Sequence, residues 1–280
     1  MKTKHVLVVG DSRDLKEIKD RKIPIHLVVT SPPYPMIEMW DKQFSELGAH
    51  SYQGMHNLLA EVWKQCYQIL VDGGLMCINI GDATRRNDGS GFRLYPNHSK
   101  IIEHCEKIGF TFLPYILWKK PTNRPNAFLG SGFLPPNGYI TLDCEYILIL
   151  RKGQIRKFPP HDKLRYDSTF TKEERDRWFS QIWDDIRGTK QNHTDIVRRT
   201  GAYPEELVRR LIRMFSVKED TILDPFVGTG TTIKAARELG RNSIGYEIDR
   251  KLVKVIKQRM NQKTLDSDYD FEIIRRSHRQ

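Results

Sequence analysis

The sequence predicts an α/β protein with a mostly parallel sheet covered by helices, and three observations carry that prediction. Strand-like and helix-like segments alternate along most of the 280 residues, as in repeated strand–helix–strand crossovers. Several strand-like segments are near-continuous apolar runs, the composition of strands buried on both faces. Around Gly228 an apolar strand runs into a glycine-rich turn that opens a helix, and ligands of open α/β sheets sit at such strand ends.

Seven strands are expected: His5 to Val9, His26 to Thr30, Leu75 to Ile80, Thr111 to Trp118, Tyr146 to Arg151, Thr221 to Leu223 and Ser243 to Tyr246. Four helices are expected between them. Met55 to Leu70 places Leu58, Leu59, Val62, Cys66 and Leu70 at helical spacing, and Asp72-Gly73-Gly74 ends it. Pro96 to Ile108 opens on a proline and stops before Gly109. Pro204 to Phe215 and Thr231 to Leu239 behave likewise, the second closed by Gly240. Two stretches break the rhythm. Lys119 to Tyr139 is rich in Pro, Gly and Asn and reads as a long functional loop. Gly153 to Thr200 is strongly charged and has no sustained apolar face. The end of the chain, from about Lys263, reads as a polar tail in which Phe271 to Ile274 could dock as a short strand.

Hydrophobic residues make up 39% of the chain, enough for one sizeable core with a small appended module. Mean hydropathy is −0.56 and no uninterrupted apolar run reaches the length of a membrane span. No signal-peptide core follows the start Met1-Lys2-Thr3-Lys4. Cys66, Cys77, Cys105 and Cys144 form no CxxC pair, so reduced thiols in a cytoplasmic protein are expected. No metal is implied. Cys77, inside an apolar run, is expected to be packing. A formal charge of +11 and a pI near 9.4 suit a polyanionic partner, although a solvated basic surface has the same composition.

Two motifs carry chemistry. The first is Asp224-Pro225-Phe226-Val227-Gly228-Thr229-Gly230-Thr231-Thr232. Glycines there allow a tight turn and close approach of a ligand, and free N–H groups at the helix start attract anionic groups. The spacing and lysine of a P-loop are missing. Nineteen residues after Gly228 stands Glu247, followed by Asp249. An acid in that place can accept hydrogen bonds from both ribose hydroxyls. The second motif, Thr30-Ser31-Pro32-Pro33-Tyr34, directly follows a strand. Paired prolines stiffen the turn and leave carbonyls free. The Ser31 hydroxyl and Pro32 carbonyl could accept hydrogen bonds from an amino group, and Tyr34 offers a stacking face.

Together the motifs resemble those of the DNA amino-methyltransferases, which carry [DNS]PP[YFW] and DPFxGxGTT. With the catalytic motif first, the order resembles the β class of that family. The resemblance implies a Rossmann-like fold dependent on S-adenosylmethionine, circularly permuted, with a mostly parallel seven-stranded sheet. It implies catalytic roles for Ser31, Pro32, Pro33 and Tyr34. It implies cofactor contacts from Asp11, Asp224, Pro225, Phe226, Gly228, Thr229, Gly230, Thr231, Thr232, Glu247 and Asp249, together with Tyr203 and Pro204 of an element that also includes His193. Gly73-Gly74-Leu75 to Asp82 resembles the family's fifth strand. Trp118-Lys119-Lys120-Pro121 and Glu145 to Gly153 resemble segments lining the target-base pocket. The layout expected is a first catalytic part (1–150), an inserted target-recognition region (151–192), a second catalytic part (193–262) and the tail (263–280).

The implied reaction needs no general base, because the methylated ammonium intermediate is itself strongly acidic. A duplex buries its amines, so the target base must be rotated out. Serine at the first motif position is associated in the family with cytosine N4, with adenine N6 as the alternative. Further alternatives are an RNA or protein amino-methyltransferase and a catalytically silent DNA-binding module. The implied partners are double-stranded DNA and, in a restriction–modification pair, a cognate endonuclease cutting the same site; monomer and dimer are equally open. DNA contacts are expected from Trp118, Lys119, Arg124 and Asn126, and from Arg151, Arg156, Lys157, Arg165, Arg175 and Arg177 in the basic segment. The acids mixed among those arginines make a solvated face the competing reading.

Overall fold

The computed structural model describes residues 2–87, 91–120, 135–136, 139–188, 203–262 and 268–276. Arg124, Asn126 and His193 lie outside the described residues.

The first half of the chain lays down β1 (Thr3–Val9), α1 (Lys16–Asp20), β2 (Ile25–Thr30), α2 (Asp41–Glu46), α3 (Tyr52–Ile69) and β3 (Leu70–Ile80). A small hairpin follows, β4 (Ala83–Asn87) and β5 (Gly91–Tyr95), then α4 (Asn97–Ile108), β6 (Thr111–Lys119) and β7 (Cys144–Arg151). The charged segment holds α5 (Lys163–Tyr166), α6 (Lys172–Trp178) and β8 (Ile182–Trp183). Then come α7 (Glu205–Phe215), β9 (Thr221–Asp224), α8 (Thr231–Glu238), β10 (Asn242–Glu247), α9 (Val253–Met260) and β11 (Tyr269–Arg275). All seven expected strands are present.

They form one sheet in the order β11-β1-β10-β9-β2-β3-β7-β6-β8. The seven expected strands occupy its contiguous middle. Two edge strands make nine, which corrects the expected seven. β8 has two residues and no apolar run, whereas β11 contains the Phe271 to Ile274 segment expected to dock as a short strand. From β11 to β3 every pairing is parallel, and β7 runs against both β3 and β6.

Side chains on each strand alternate between two faces, as a pleated strand requires. In β7, Leu148 and Leu150 join the core under α3, whereas Ile147 and Ile149 join the core under α7 and α8. α3 is capped by Ser51, whose Oγ accepts from Gly54 N at 3.1 Å, and it buries Leu59, Val62, Trp63 and Cys66 against the first face. Each such side chain contributes about 1.5–3 kcal/mol by leaving water. Cys77 is fully buried in the second core. No helix among the described residues is long and apolar enough to cross a membrane.

Strand order places the site. From β9 the chain moves outward through β10, and from β2 it moves the other way through β3. The crevice of an open α/β sheet lies where the order reverses, at the carboxyl ends of the strands. Here that is the rim above β9 and β2.

Candidate active site

The two motifs meet at this rim. Thr30, the last residue of β2, donates from Oγ1 to Asp224 Oδ1 at 2.7 Å, across 194 positions of sequence. Ser31 follows Thr30 directly, and Asp224 opens the glycine-rich turn. The pairing of two turns so distant in the chain is therefore a direct hydrogen bond.

Asp224 is 1% exposed. Its Oδ1 also accepts from Phe226 N at 3.0 Å, and its Oδ2 accepts from Thr232 Oγ1 at 2.6 Å and Tyr203 OH at 3.4 Å. Burial pushes its carboxyl up, against these hydrogen bonds, which favour the ion. Thr30, Phe226 N and Thr232 each give Asp224 a proton, and the single Tyr203 proton is shared with Thr232 Oγ1, 2.6 Å away. Asp224, Thr232 and Tyr203 thus fix the turn from within. Thr231 Oγ1 accepts from Arg259 Nη1 at 2.6 Å and keeps its own proton to donate. Phe226 packs edge-on to Trp63, with centroids 5.9 Å apart, and Pro225 is buried. Pro204 sets the start of α7.

The turn opens outward at half-buried Gly228, with Thr229 and Gly230 buried behind it. Gly228 has φ +55° and Gly230 φ +89°, left-handed values that suit glycine. A Cβ built on Gly228 would meet only one atom within 4 Å, so the backbone there is open to close approach. Thr229 is 2% exposed, and its Oγ1 has no hydrogen-bond partner among the described residues. Buried hydroxyls are seldom left unpaired.

Glu247 closes the other side. It ends β10 beside Val9 of β1, accepting from Gly228 N and from Asp249 N, both at 2.8 Å. Burial pushes its carboxyl up to about 7, above the usual carboxylate range. Each oxygen holds one donor and keeps capacity for another. Asp249 caps the next turn through Lys251 N. Asp11 stands on the same rim after β1, its carboxylate paired with Arg13 at 2.6 Å.

On the other side of β2, Ser31 donates to Tyr34 OH at 3.2 Å, and Tyr34 OH donates to Glu145 Oε2 at 3.0 Å. Asn79, near the end of β3, donates from Nδ2 to both Tyr34 OH (2.8 Å) and Glu145 Oε2 (2.6 Å). Lys120 pairs with Glu145 Oε1. Asn79 escaped the sequence reading. Its signal was present: one amide in the otherwise apolar run Leu75 to Ile80 of a strand buried on both faces.

The expected DNA contacts divide. Lys119 is exposed at the end of β6, on this rim. Trp118 is 2% exposed and donates from Nε1 to Ile186 O at 3.0 Å, so it is core and its assignment is corrected. Arg151 pairs in register with Leu75 and Thr111 at the opposite rim, because β7 runs antiparallel. Arg156 is bound there to Asp220 at 2.6 Å, next to Lys157. Arg165 lies over the same Phe158 ring as Arg156. These four basic residues sit away from the motifs. Arg175 and Arg177 are exposed on α6 but pair with Asp176 and Asp185.

A family profile described as DNA methylase, for N6 and N4 methyltransferases, matches residues 25–258. The type II methyltransferase M.MjaI of Methanocaldococcus jannaschii is 58% identical over 98% of this chain and 97% of its own. M.MthZI of Methanothermobacter thermautotrophicus, also a type II methyltransferase, is 47% identical over 94% of this chain and 78% of its own. The Thermus thermophilus protein TTHA0409, solved in complex with S-adenosyl-L-methionine, superposes with a TM-score of 0.77 at 33% identity, covering 98% and 99% of the two chains. The cytosine-N4-specific PvuII DNA methyltransferase shares the fold, with a TM-score of 0.62 at 15% identity. With the two motifs joined at one rim and a profile spanning most of the sequence, this chain belongs to the N6/N4 DNA methylase family.

Proposed function

We propose that this DNA methyltransferase transfers a methyl group from S-adenosylmethionine to the exocyclic N4 amine of cytosine at a specific duplex sequence. The observation that carries the reading is the Thr30–Asp224 bond of 2.7 Å. It holds an acceptor for an amine and a glycine turn for a cofactor side by side.

The residues fit that cofactor. Glu247 has spare acceptor capacity for a ribose diol, Gly228 leaves its backbone open, and Thr229 Oγ1 is a buried group without a partner among the described residues. When bound, the cofactor supplies an electrophilic methyl on a sulfonium. The protein's own residues do the rest. Ser31 Oγ and the Pro32 carbonyl accept the amine protons and draw them from the ring plane, which localises the nitrogen lone pair. Catalysis then comes mostly from positioning. The target base is rotated out of the duplex to reach this pocket, and exposed Lys119 contacts the backbone phosphates beside it. Asp11 borders the adenine end of the cofactor site.

Serine at the motif's first position supports cytosine over adenine. The type II names of M.MjaI and M.MthZI support a cognate endonuclease that cuts the same sequence. The test is nucleoside analysis of DNA from cells expressing the protein. N4-methylcytosine is expected; N6-methyladenine in its place would reverse the base assignment.

A further inference from the structure

The Ser31 oxygen can serve as an acceptor only if its own proton points elsewhere. A hydroxyl carries one proton and two lone pairs, and left to rotate it could aim that proton at the incoming amine, which also donates. Something must set the direction, and the hydrogen-bond chain behind Ser31 does so.

We propose that Glu145 is a positioning residue for methyl transfer. Through the Tyr34 phenol it directs the Ser31 proton away from the substrate and leaves the Ser31 oxygen facing the amine as an acceptor. This inference rests on the amino-methyltransferase reading above and deepens it.

The direction follows from counting donors. An ionised carboxylate accepts only, and Glu145 is paired with Lys120 at Oε1. Tyr34 therefore gives its single proton to Glu145 Oε2 at 3.0 Å. Burial, with the Glu145 charge beside it, pushes the phenol well above its usual range, so it remains a donor. Asn79 closes the alternative. Its amide donates to both the phenol and Glu145, and turning the amide over would set its oxygen against the carboxylate. Asn79 Oδ1 is left without a partner among the described residues. With its proton given to Glu145 and one donor already supplied by Asn79, the phenol oxygen accepts from Ser31 at 3.2 Å.

The packing is equally restrictive. A Cβ on Gly81 would lie 3.1 Å from the Tyr34 ring and 3.3 Å from Glu145 Cγ. Ring and carboxylate thus lie side by side over Gly81, in space that a larger residue there would take. The chain joins the turn after β2, the end of β3 and the start of β7, so it forms only in the folded sheet.

The test compares wild type, Glu145→Gln, Tyr34→Phe and the double variant, using unmodified phage DNA and radiolabelled S-adenosylmethionine. Each single change is expected to lower kcat about tenfold or more, with cofactor affinity and the KM for DNA within about twofold of wild type. The double variant should be no slower than the slower single one, because both changes break the same chain. A merely structural role would not give that pattern. Wild-type kcat in Tyr34→Phe, which keeps the stacking ring, would overturn the inference, as would losses that multiply in the double variant. Should Glu145→Gln fail to fold, Tyr34→Phe alone decides by the same criterion. An inactive wild type would count against the methyltransferase reading itself, which separates the two failures.

Discussion

The two ends of β7 make the most instructive comparison in the molecule. At one end Glu145 is 8% exposed and bound to Tyr34, Asn79 and Lys120 in the candidate active site. At the other end Arg151 leads into the basic segment, whose cations face the protein's own acids: Arg156 with Asp220, Arg175 with Asp176, Arg177 with Asp185, and Arg213 of α7 with Glu174. Charge count favoured the second region as the place where DNA is read. Partner assignment favours the first. A cation already matched by a carboxylate releases fewer counterions when it meets a phosphate, so it contributes less to nucleic-acid affinity than its charge suggests.

This contrast can be broken most sharply at the rim. Ser31→Ala removes an acceptor needed only when the amine reacts, so methylation should fall roughly 10²- to 10³-fold in kcat while cofactor affinity holds. Loss of cofactor binding in the same variant, measured by calorimetry, would remove Ser31 from the catalytic role.

At the far rim the same kind of change should act on folding. Arg156→Ala leaves Asp220, 3% exposed, short of its cation, at an expected cost of roughly 1–3 kcal/mol. Denaturant unfolding measures this, and DNA affinity should be unchanged. A variant that is stable but binds DNA poorly would restore Arg156 to the interface.

Proton linkage sharpens the rim's side of the comparison. Glu247 titrates near 7 in the ligand-free protein, and hydroxyl donors from a ribose bind its ionised form. Cofactor affinity should therefore be weak below that pH, rise through it and level off above, by about tenfold per pH unit in the limiting acid range. Glu247→Gln should abolish the slope; a slope that survives would assign the titration to another group.

The smallest effects should separate Lys119 from the segment's arginines. Lys119→Ala is expected to weaken DNA binding several-fold and lower the salt dependence by about one counterion. Arg165→Ala and Arg175→Ala should each change stability by less than about 0.5 kcal/mol, with DNA binding unaltered. Filter binding across a salt series distinguishes the two groups.

The sequence by itself determined the seven central strands, because continuous apolar runs such as Leu75 to Ile80 have no stable place except inside a sheet covered on both faces. It determined both turns as well, since Pro32-Pro33 and Gly228-Thr229-Gly230 restrict or free the backbone locally. The β4–β5 hairpin and the edge strand β8 were not legible as sheet elements, being short or polar enough to resemble loop, whereas β11 contains the Phe271 to Ile274 segment expected to dock as a strand.

Only the tertiary structure decided which side chains of the motifs are spent on the protein and which remain for a ligand. Asp224 and Glu247 are both acids at strand ends, yet one is enclosed by Thr30, Phe226 N and Thr232 and the other keeps room for a ligand. It also decided that Asn79 and Glu145 stand behind Ser31 and that Arg151 lies at the opposite rim. The physical reason is common to all three. Hydrogen-bond capacity and strand direction are settled by neighbours far away along the chain, and local composition carries no record of them.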